Sequence, residues 1–221
     1  MESFIKAIGA TYKYKDGFGL EPIDLEIYKE DIAFIVGANG CGKSTLSKLL
    51  CGITKPCLGQ VLVDNVDTKG LSLSEIGKKI GYVWQNVDLQ LFCIKAWDEL
   101  IFKYKLEDRL TIEVENKAKM MLKALHIEHI KDSNIDCISK GERQRLALAI
   151  MLMNENNFFI LDEPTVGLDC DCKELLANII INMNINNHGF LIISHDEDFV
   201  HRLATRIIYM KKGGIEYDER L

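Results

Sequence analysis

The chain has 221 residues, of which 48% are hydrophobic and 27% charged, so it is long and apolar enough to form a large globular domain with a buried core. A formal net charge of −6 argues against the basic face that non-specific nucleic-acid binding requires, and we expect no nucleic-acid partner. No apolar run approaches the roughly 18 residues of a membrane span. Seven cysteines without disulfide or zinc spacing suit reduced thiols in the cytosol.

The first 85 residues alternate short strands with glycine-containing turns. Period-two alternation predicts strands over 4–14 and 23–27, with a turn at Asp16–Gly17, and an apolar run predicts a buried strand over 32–36. Later elements are predicted as a strand over 59–64, a helix over 72–80 capped by Ser72 or Ser74, and a strand over 81–85 that ends in Gln85.

A glycine-rich segment follows the buried strand and matches the pattern G-x-x-x-x-G-K-[ST]; its residues are Gly37, Ala38, Asn39, Gly40, Cys41, Gly42, Lys43, Ser44 and Thr45. Such a loop directs backbone N–H groups at the phosphates of a nucleotide, and the helix that opens near Lys43 adds the positive end of its dipole. We expect Lys43 to reach the β- and γ-phosphates and Ser44 to bind the bridging Mg²⁺. The segment therefore predicts a nucleoside triphosphate site.

From residue 86 to residue 156 the strand patterns disappear and helical periodicity replaces them, which predicts a helical insertion between two parts of an α/β core. Two amphipathic helices are predicted over 94–105 and 111–125. Farther along, Ser139 and Glu142 have the spacing of a capping box that begins a helix ending at Met153. A helix N-terminus of this kind can also bind an anion.

Polar side chains follow the apolar runs of the C-terminal part, where strands over 158–163, 190–194 and 206–210 alternate with two helices. This alternation predicts a mostly parallel sheet whose ligands lie at the carboxyl ends of its strands. We assign Asp162 to the metal ion and Glu163 to the attacking water. His195 either caps a helix or hydrogen-bonds the γ-phosphate, and Gln85 is a candidate ligand of the metal or the water.

The segment from Ser139 to Arg145 resembles the signature motif of ATP-binding-cassette (ABC) ATPases, usually Leu-Ser-Gly-Gly-Gln followed by a basic residue, Gln and Arg. Together with the phosphate loop, Gln85, residues 161–165, residues 167–169 and His195, it completes that family's motifs in the family's order. The resemblance implies one nucleotide-binding domain of the α/β class. Its P-loop (RecA-like), mostly parallel core covers 1–85 and 157–221 and includes an N-terminal antiparallel β subdomain, while a helical signature subdomain is inserted over 86–156.

The resemblance also implies roles for individual residues. In the family, two cassettes pair head to tail around two ATP molecules, each held between one phosphate loop and the partner's signature helix. The implied ligands of ATP therefore include Tyr14, which stacks on adenine, and the signature residues Ser139, Gly141 and Glu142. The resemblance assigns metal binding to Ser44, Gln85 and Asp162, and the role of general base to Glu163. It makes His195 the γ-phosphate switch and Asp169 the residue that communicates across the dimer.

Residues 85–92 are similar to the Gln-Asn-Pro-Asp-Asp-Gln-Leu/Ile-Phe segment of energy-coupling-factor importers, which take up vitamins and transition-metal ions, although Val87 and Leu89 replace Pro and one Asp. The similarity implies an ATPase subunit, peripheral to the cytoplasmic face of the cell membrane, that acts through integral membrane subunits. The alternatives are the ATPase of an ABC exporter, a soluble non-transport ABC ATPase and a non-hydrolysing regulatory cassette.

The signature departs from the family pattern at two positions, because Lys140 replaces the first glycine and Glu142 replaces the glutamine. A lysine in the first turn of a helix opposes the helix dipole by roughly 0.3–1 kcal/mol. We therefore expect weakened function at the ATP site that this signature completes. The partner cassette is either a second copy of this chain or, as a hypothesis, a different cassette.

Overall fold

The computed structural model describes residues 3–15 and 17–221, so Asp16 of the predicted turn lies outside the described residues. The strands are Ile5–Lys13 (β1), Gly19–Ile27 (β2), Ile32–Val36 (β3), Leu58–Val63 (β4), Val66–Asp67 (β5), Ile80–Val83 (β6), Phe158–Asp162 (β7), Gly189–Ile193 (β8), Arg206–Lys211 (β9) and Gly214–Arg220 (β10). The α-helices are Lys43–Leu50 (α1), Leu73–Gly77 (α2), Ala96–Leu106 (α3), Ile112–Ala124 (α4), Lys140–Met153 (α5), Cys170–Ile185 (α6) and Glu197–Leu203 (α7).

The larger sheet has the strand order β10-β9-β3-β8-β7-β6 and supplies the carboxyl ends at which the candidate site lies. Strand β3 pairs in parallel with β8 and β9, and β7 pairs in parallel with β8. Every residue of β7 and β8 is buried, because strands covered on both faces carry continuous apolar runs. Strand β10 runs antiparallel to its neighbour, β9.

The smaller sheet is antiparallel and has the order β2-β1-β4-β5. Its apolar face joins the buried residues of β3, β7 and β8 in one hydrophobic cluster, to which helix α1 contributes Leu46, Leu49 and Leu50. The Phe4 ring stacks on that of Phe158 at a centroid distance of 5.2 Å. Burial of α1 on this cluster fixes the helix that follows the glycine-rich loop.

The described chain divides into two compact units. The first comprises the described part of Met1–Tyr82 with Asn156–Asp162 and Ile180–Leu221, and it contains the two sheets. The second comprises Val83–Glu155 and Glu163–Ile179 and is mainly helical. Within it, the Tyr104 hydroxyl of α3 donates to the Met153 backbone oxygen at the end of α5.

The predicted fold class is confirmed, since the protein is a mixed α/β structure with a mostly parallel sheet, an antiparallel N-terminal sheet and a group of helices. Several boundaries were wrong. Ile80 begins β6 rather than ending α2, and β6 ends at Val83, so Gln85 lies in a loop. Strand β10 was not predicted. Strand β10 escaped prediction because most of its residues are exposed and polar.

Candidate nucleotide site and signature helix

Helix α1 begins directly after the glycine-rich loop, and its N-terminus carries no capping side chain. Gly42 is the N-cap residue at φ 111°, a left-handed conformation that favours glycine, and no residue of the first turn is acidic. The first backbone N–H groups of α1 are therefore not covered by a hydroxyl or carboxylate of the protein's own first turn. Together with the helix dipole, these N–H groups can attract an anion.

Gly37, the first residue of the loop, approaches strand β9 too closely for any side chain. A Cβ atom on Gly37 would lie 2.3 Å from the backbone oxygen of Met210. Lys43 is buried, and its Nζ donates to the backbone oxygens of Gly37 at 2.8 Å and Ala38 at 3.1 Å. The ammonium group thus lies within the loop, where phosphate oxygens can replace these carbonyl partners.

Asp162 and Ser44 provide oxygen ligands that suit a metal ion. Asp162 ends β7 and is 2% exposed, and its Oδ1 is buried without a hydrogen-bond partner among the described residues. Burial raises the pKa of Asp162, while a hydrogen bond from the Ser44 side chain opposes that rise. No cluster of three or more His, Cys, Asp or Glu side chains able to hold a metal occurs in the described part of the chain. A single unsatisfied carboxylate beside a hydroxyl fits Mg²⁺, which takes many of its oxygen ligands from phosphates and water.

Tyr14, the predicted adenine contact, lies immediately after β1 and is 38% exposed. Its hydroxyl is 3.4 Å from Thr45 Oγ1 of α1, and its ring packs edge-on against Tyr12 at a centroid distance of 4.9 Å. A cleft of about 630 Å³ beside the loop is lined by Phe18 and by residues 38–41 and 209–212. The Phe18 ring lies 6.3 Å from the Tyr14 ring at 27°, which makes Phe18 a second candidate for base stacking. The sequence offered no periodicity that would single out Phe18.

The ends of three parallel strands meet at one edge of the larger sheet, since Ile193 of β8 pairs with Ile35 of β3 and with Asp162 of β7. His195 follows β8 by two residues. It lines a cleft of about 470 Å³ together with Gly37 of the phosphate loop. The first unit therefore brings the phosphate loop, Asp162 and His195 to the same edge of the sheet.

Gln85 belongs to the second unit, where it is exposed in the loop between β6 and a 3-10 turn at Val87–Leu89. The Asn86 side chain caps this turn by accepting from the Asp88 N–H at 3.2 Å. Asp88 Oδ1 lies 2.7 Å from Nε of Arg143 in helix α5. An ion pair thus ties the Gln85 loop to the helix that carries the signature motif.

Glu163 directly follows β7 and has a φ of 54°, a left-handed value that is uncommon for residues with a side chain. It is 7% exposed, and its backbone oxygen accepts from the Val166 N–H at 3.3 Å. The next residue, Pro164, accepts a 3.5 Å hydrogen bond from Nε2 of Gln144 in α5. Backbone strain of this kind is concentrated at functional sites, which supports a functional role for Glu163.

The signature segment begins α5, and the structure confirms the predicted capping box. Glu142 Oε2 accepts from the Ser139 N–H and hydroxyl, both at 2.7 Å, while Glu142 Oε1 lies 2.6 Å from Nε2 of His129. A Cβ atom on Gly141 would lie 2.8 Å from the backbone oxygen of Gly167, so glycine lets these two segments pack. His129 was not predicted, because a partner 13 residues away in a non-helical segment has no spacing rule.

Asp169 precedes α6 and has a structural function within its own chain. Its Oδ1 accepts from the Cys172 N–H at 2.8 Å, and this hydrogen bond lowers the pKa of Asp169. The carboxylate therefore caps the N-terminus of α6. Its implied role in communication between two cassettes stays a prediction.

Comparison with known proteins decides the family, since a family model described as "ABC transporter" matches residues 20–166. The chain belongs to the ABC transporter family. Energy-coupling factor transporter ATP-binding protein EcfA3 of Clostridium perfringens is 35% identical to this ABC cassette over an alignment that covers 97% of the chain and 77% of EcfA3. Within the described residues, no helix combines the length and apolarity that crossing a bilayer requires.

Two solved structures resemble the cassette over nearly their whole length. The structure of cbiO1 from Clostridium perfringens, part of the ABC transporter complex cbiONQ, has a TM-score of 0.82 and 31% identity and covers 100% of this chain and 89% of cbiO1. The dimeric post-hydrolysis state of the cassette MJ0796, bound to ADP and Pi, has a TM-score of 0.87 and 29% identity and covers 98% of each chain. The cassette is accordingly an ABC ATPase.

Proposed function

We propose that this ABC ATPase energises a micronutrient importer of the energy-coupling-factor type, from the cytoplasmic face of the membrane. The main support for ATP binding is the N-terminus of α1, which has no capping side chain and begins with the buried residue Lys43. The importer part is supported by the similarity to EcfA3 and cbiO1 and by the segment 85–92. A vitamin or a transition-metal ion is the proposed cargo.

In this proposal, the triphosphate of ATP is bound by the backbone N–H groups of residues 37–45 and by Lys43, whose ammonium group exchanges loop carbonyls for phosphate oxygens. Ser44, Asp162 and Gln85 hold Mg²⁺. When bound, Mg²⁺ neutralises the negative charge of the phosphate groups. The unsatisfied Oδ1 of Asp162 supports this assignment.

Glu163 is the proposed general base, which orients the attacking water and accepts its proton. His195 donates a hydrogen bond to the γ-phosphate, a role supported by its place beside Gly37 in the same cleft. Tyr14 stacks on adenine, and the exposed Phe18 ring extends this platform. All of these residues are supplied by the cassette whose phosphate loop holds the ATP.

A second cassette completes each ATP site in this proposal, with the signature residues Ser139, Gly141 and Glu142 beside the partner's nucleotide and Asp169 at the interface. The dimeric state of MJ0796 with ADP and Pi supports the pairing. The partner is a second copy of this chain or a different cassette.

Integral membrane subunits are the other proposed partners. Three large apolar side chains follow Gln85 within nine residues and are exposed, Leu89 by 72%, Phe92 by 66% and Ile94 by 76%. Exposed apolar side chains gathered in this way are typical of interaction surfaces. The Phe92 ring is held edge-on by Phe102 at a centroid distance of 4.7 Å, which reduces the entropy lost on binding.

Purification of the tagged cassette from membranes of its own host tests this proposal. We expect an integral membrane subunit to co-purify, and we expect Leu89→Ser with Phe92→Ser to remove it. Met120→Ser, at another exposed apolar position, is the control and should keep the subunit. Reconstituted vesicles should then accumulate a vitamin or metal ion with ATP. ATP-driven efflux would identify an exporter, and recovery with DNA or ribosomes alone would contradict a transport function.

A further inference from the structure

Two helices of this cassette begin with the same capping box. In α2, Glu75 Oε2 accepts from the Ser72 N–H at 2.9 Å and hydroxyl at 2.7 Å, and the Glu75 N–H donates to Ser72 Oγ at 3.3 Å. In α5, the corresponding distances between Ser139 and Glu142 are 2.7, 2.7 and 3.3 Å. The box is therefore a general device for starting a helix.

The α5 box has one additional partner. Nε2 of His129, in the 3-10 turn Glu128–Ile130, lies 2.6 Å from Glu142 Oε1, so both carboxylate oxygens of Glu142 are engaged. Hydrogen bonds from Ser139 and from His129 lower the pKa of Glu142 to about 2. The carboxylate is consequently ionised at neutral pH and held in one position.

This position coincides with the place where an anion would bind. A helix N-terminus attracts an anion through free N–H groups and its dipole, and here a carboxylate of the protein already receives the Ser139 N–H and hydroxyl proton. An incoming phosphate would lose the Ser139 hydroxyl donor and would meet a like charge. Glu142 is the residue that stands where the family motif has a neutral glutamine.

We propose that Glu142, held by the positioning residue His129, is a built-in competitor for the phosphate at the signature helix, so that this helix engages a partner-held triphosphate only after the Glu142 side chain moves away. The inference rests on the proposed pairing of two cassettes. In this inference the Glu142 carboxylate hinders binding of the partner-held phosphate, and a neutral residue at position 142 would not. Binding of ATP to the cassette's own phosphate loop does not depend on the side chain at position 142.

The decisive variant is Glu142→Gln, because glutamine keeps the capping box and removes the charge. Glu75→Gln in α2 is the matched control, since it makes the same change in a box of the same geometry away from the signature. ATP-dependent self-association and steady-state ATP hydrolysis are measured for the purified chain. We expect Glu142→Gln to lower the ATP concentration for half-maximal association roughly fivefold, as a loss of one like-charge contact should, and Glu75→Gln to change nothing.

His129 is tested by substitutions that separate positioning from folding. His129→Ala should raise association about twofold, less than Glu142→Gln, because the carboxylate keeps its Ser139 contacts but loses its second anchor. In the Glu142→Gln background, His129→Ala should have no further effect. His129→Lys, which restores a side-chain donor for Glu142 Oε1, should return association to the wild-type level. A structural role alone would lower the melting temperature of both His129 variants without raising association.

The possible failures are distinguishable. If Glu142→Gln binds nucleotide normally but associates no better than the wild type, or worse, Glu142 does not compete with phosphate and the inference is wrong. If neither the wild type nor Glu142→Gln binds Mg-ATP more tightly than Lys43→Ala, the proposed ATP site itself fails. Equal gains from Glu142→Gln and Glu75→Gln would show a general charge effect and would also overturn the inference.

Discussion

Helices α1 and α5 both begin at segments that the ABC family uses to bind a triphosphate, yet their N-termini differ in construction. Helix α1 has Gly42 as N-cap, no side-chain cap and no acid in its first turn. Helix α5 has Ser139 as N-cap, and the Glu142 carboxylate accepts hydrogen bonds from the Ser139 N–H and hydroxyl. A helix N-terminus can therefore bind an anion only where its hydrogen-bond donors are not occupied by groups of the protein itself.

The largest expected effect removes the cation that serves the open N-terminus. Lys43→Ala should weaken ATP binding and lower hydrolysis by about 10² or more, because a donor aimed at charge that develops on the phosphate is lost. Binding of a fluorescent ATP analogue and phosphate release measure the two effects. Lys119→Ala, on the exposed surface of α4, is the control. Undiminished binding by Lys43→Ala would show that α1 is not the anion site.

Asp162→Asn should abolish Mg²⁺-dependent hydrolysis while raising the free energy of unfolding of the nucleotide-free chain at pH 8. Because burial raises the pKa of Asp162 in the folded chain, the ionised carboxylate destabilises the fold. That penalty is absent below the ordinary Asp pKa near 4 and grows as pH rises through the folded value. Urea unfolding without Mg²⁺ at pH 4 and pH 8 measures the change. A destabilised variant at pH 8 would contradict the account.

Two matched substitutions of N-cap residues compare the N-terminus of α5 with that of α2. Ser139→Ala and Ser72→Ala should each lower the free energy of unfolding by roughly 0.5–2 kcal/mol, because each removes an N-cap side chain. Only Ser139→Ala should change ATP hydrolysis, since only α5 is proposed to meet a partner's phosphate. Thermal unfolding and phosphate release test the two statements. The same change in hydrolysis from both variants would remove the distinction.

The smallest expected effect is the acid dependence of the α5 start. The pKa of Glu142 is lowered to about 2 in the folded chain, below the ordinary value of about 4.3. Its stabilising contribution is therefore fully present above about pH 4.3 and is lost as pH falls towards 2. The melting-temperature difference between wild type and Glu142→Gln should shrink as pH falls from 4 towards 2. A difference that grows with acid would contradict the lowered pKa.

Much of the fold was predictable because its elements carry local patterns. The buried strand β3 has the predicted bounds 32–36, and the Ser139 and Glu142 spacing correctly predicted a capping box. Element ends were less accurate: apolar residues continue beyond β6, and nothing in their pattern shows that pairing stops at Val83. Most residues of β10 are exposed and polar, and its backbone pairing with β9 leaves little trace in side-chain order.

The sequence by itself determined the phosphate loop, the strand-end acids and the signature segment, because each depends on residue types at fixed short spacings. Only the tertiary structure decided what surrounds them. It brought His195 beside Gly37, left Oδ1 of Asp162 without a hydrogen-bond partner in the described part of the chain, and placed His129 beside Glu142. These arrangements join residues distant along the chain or leave an atom unpaired, and both follow from packing, which no local spacing encodes.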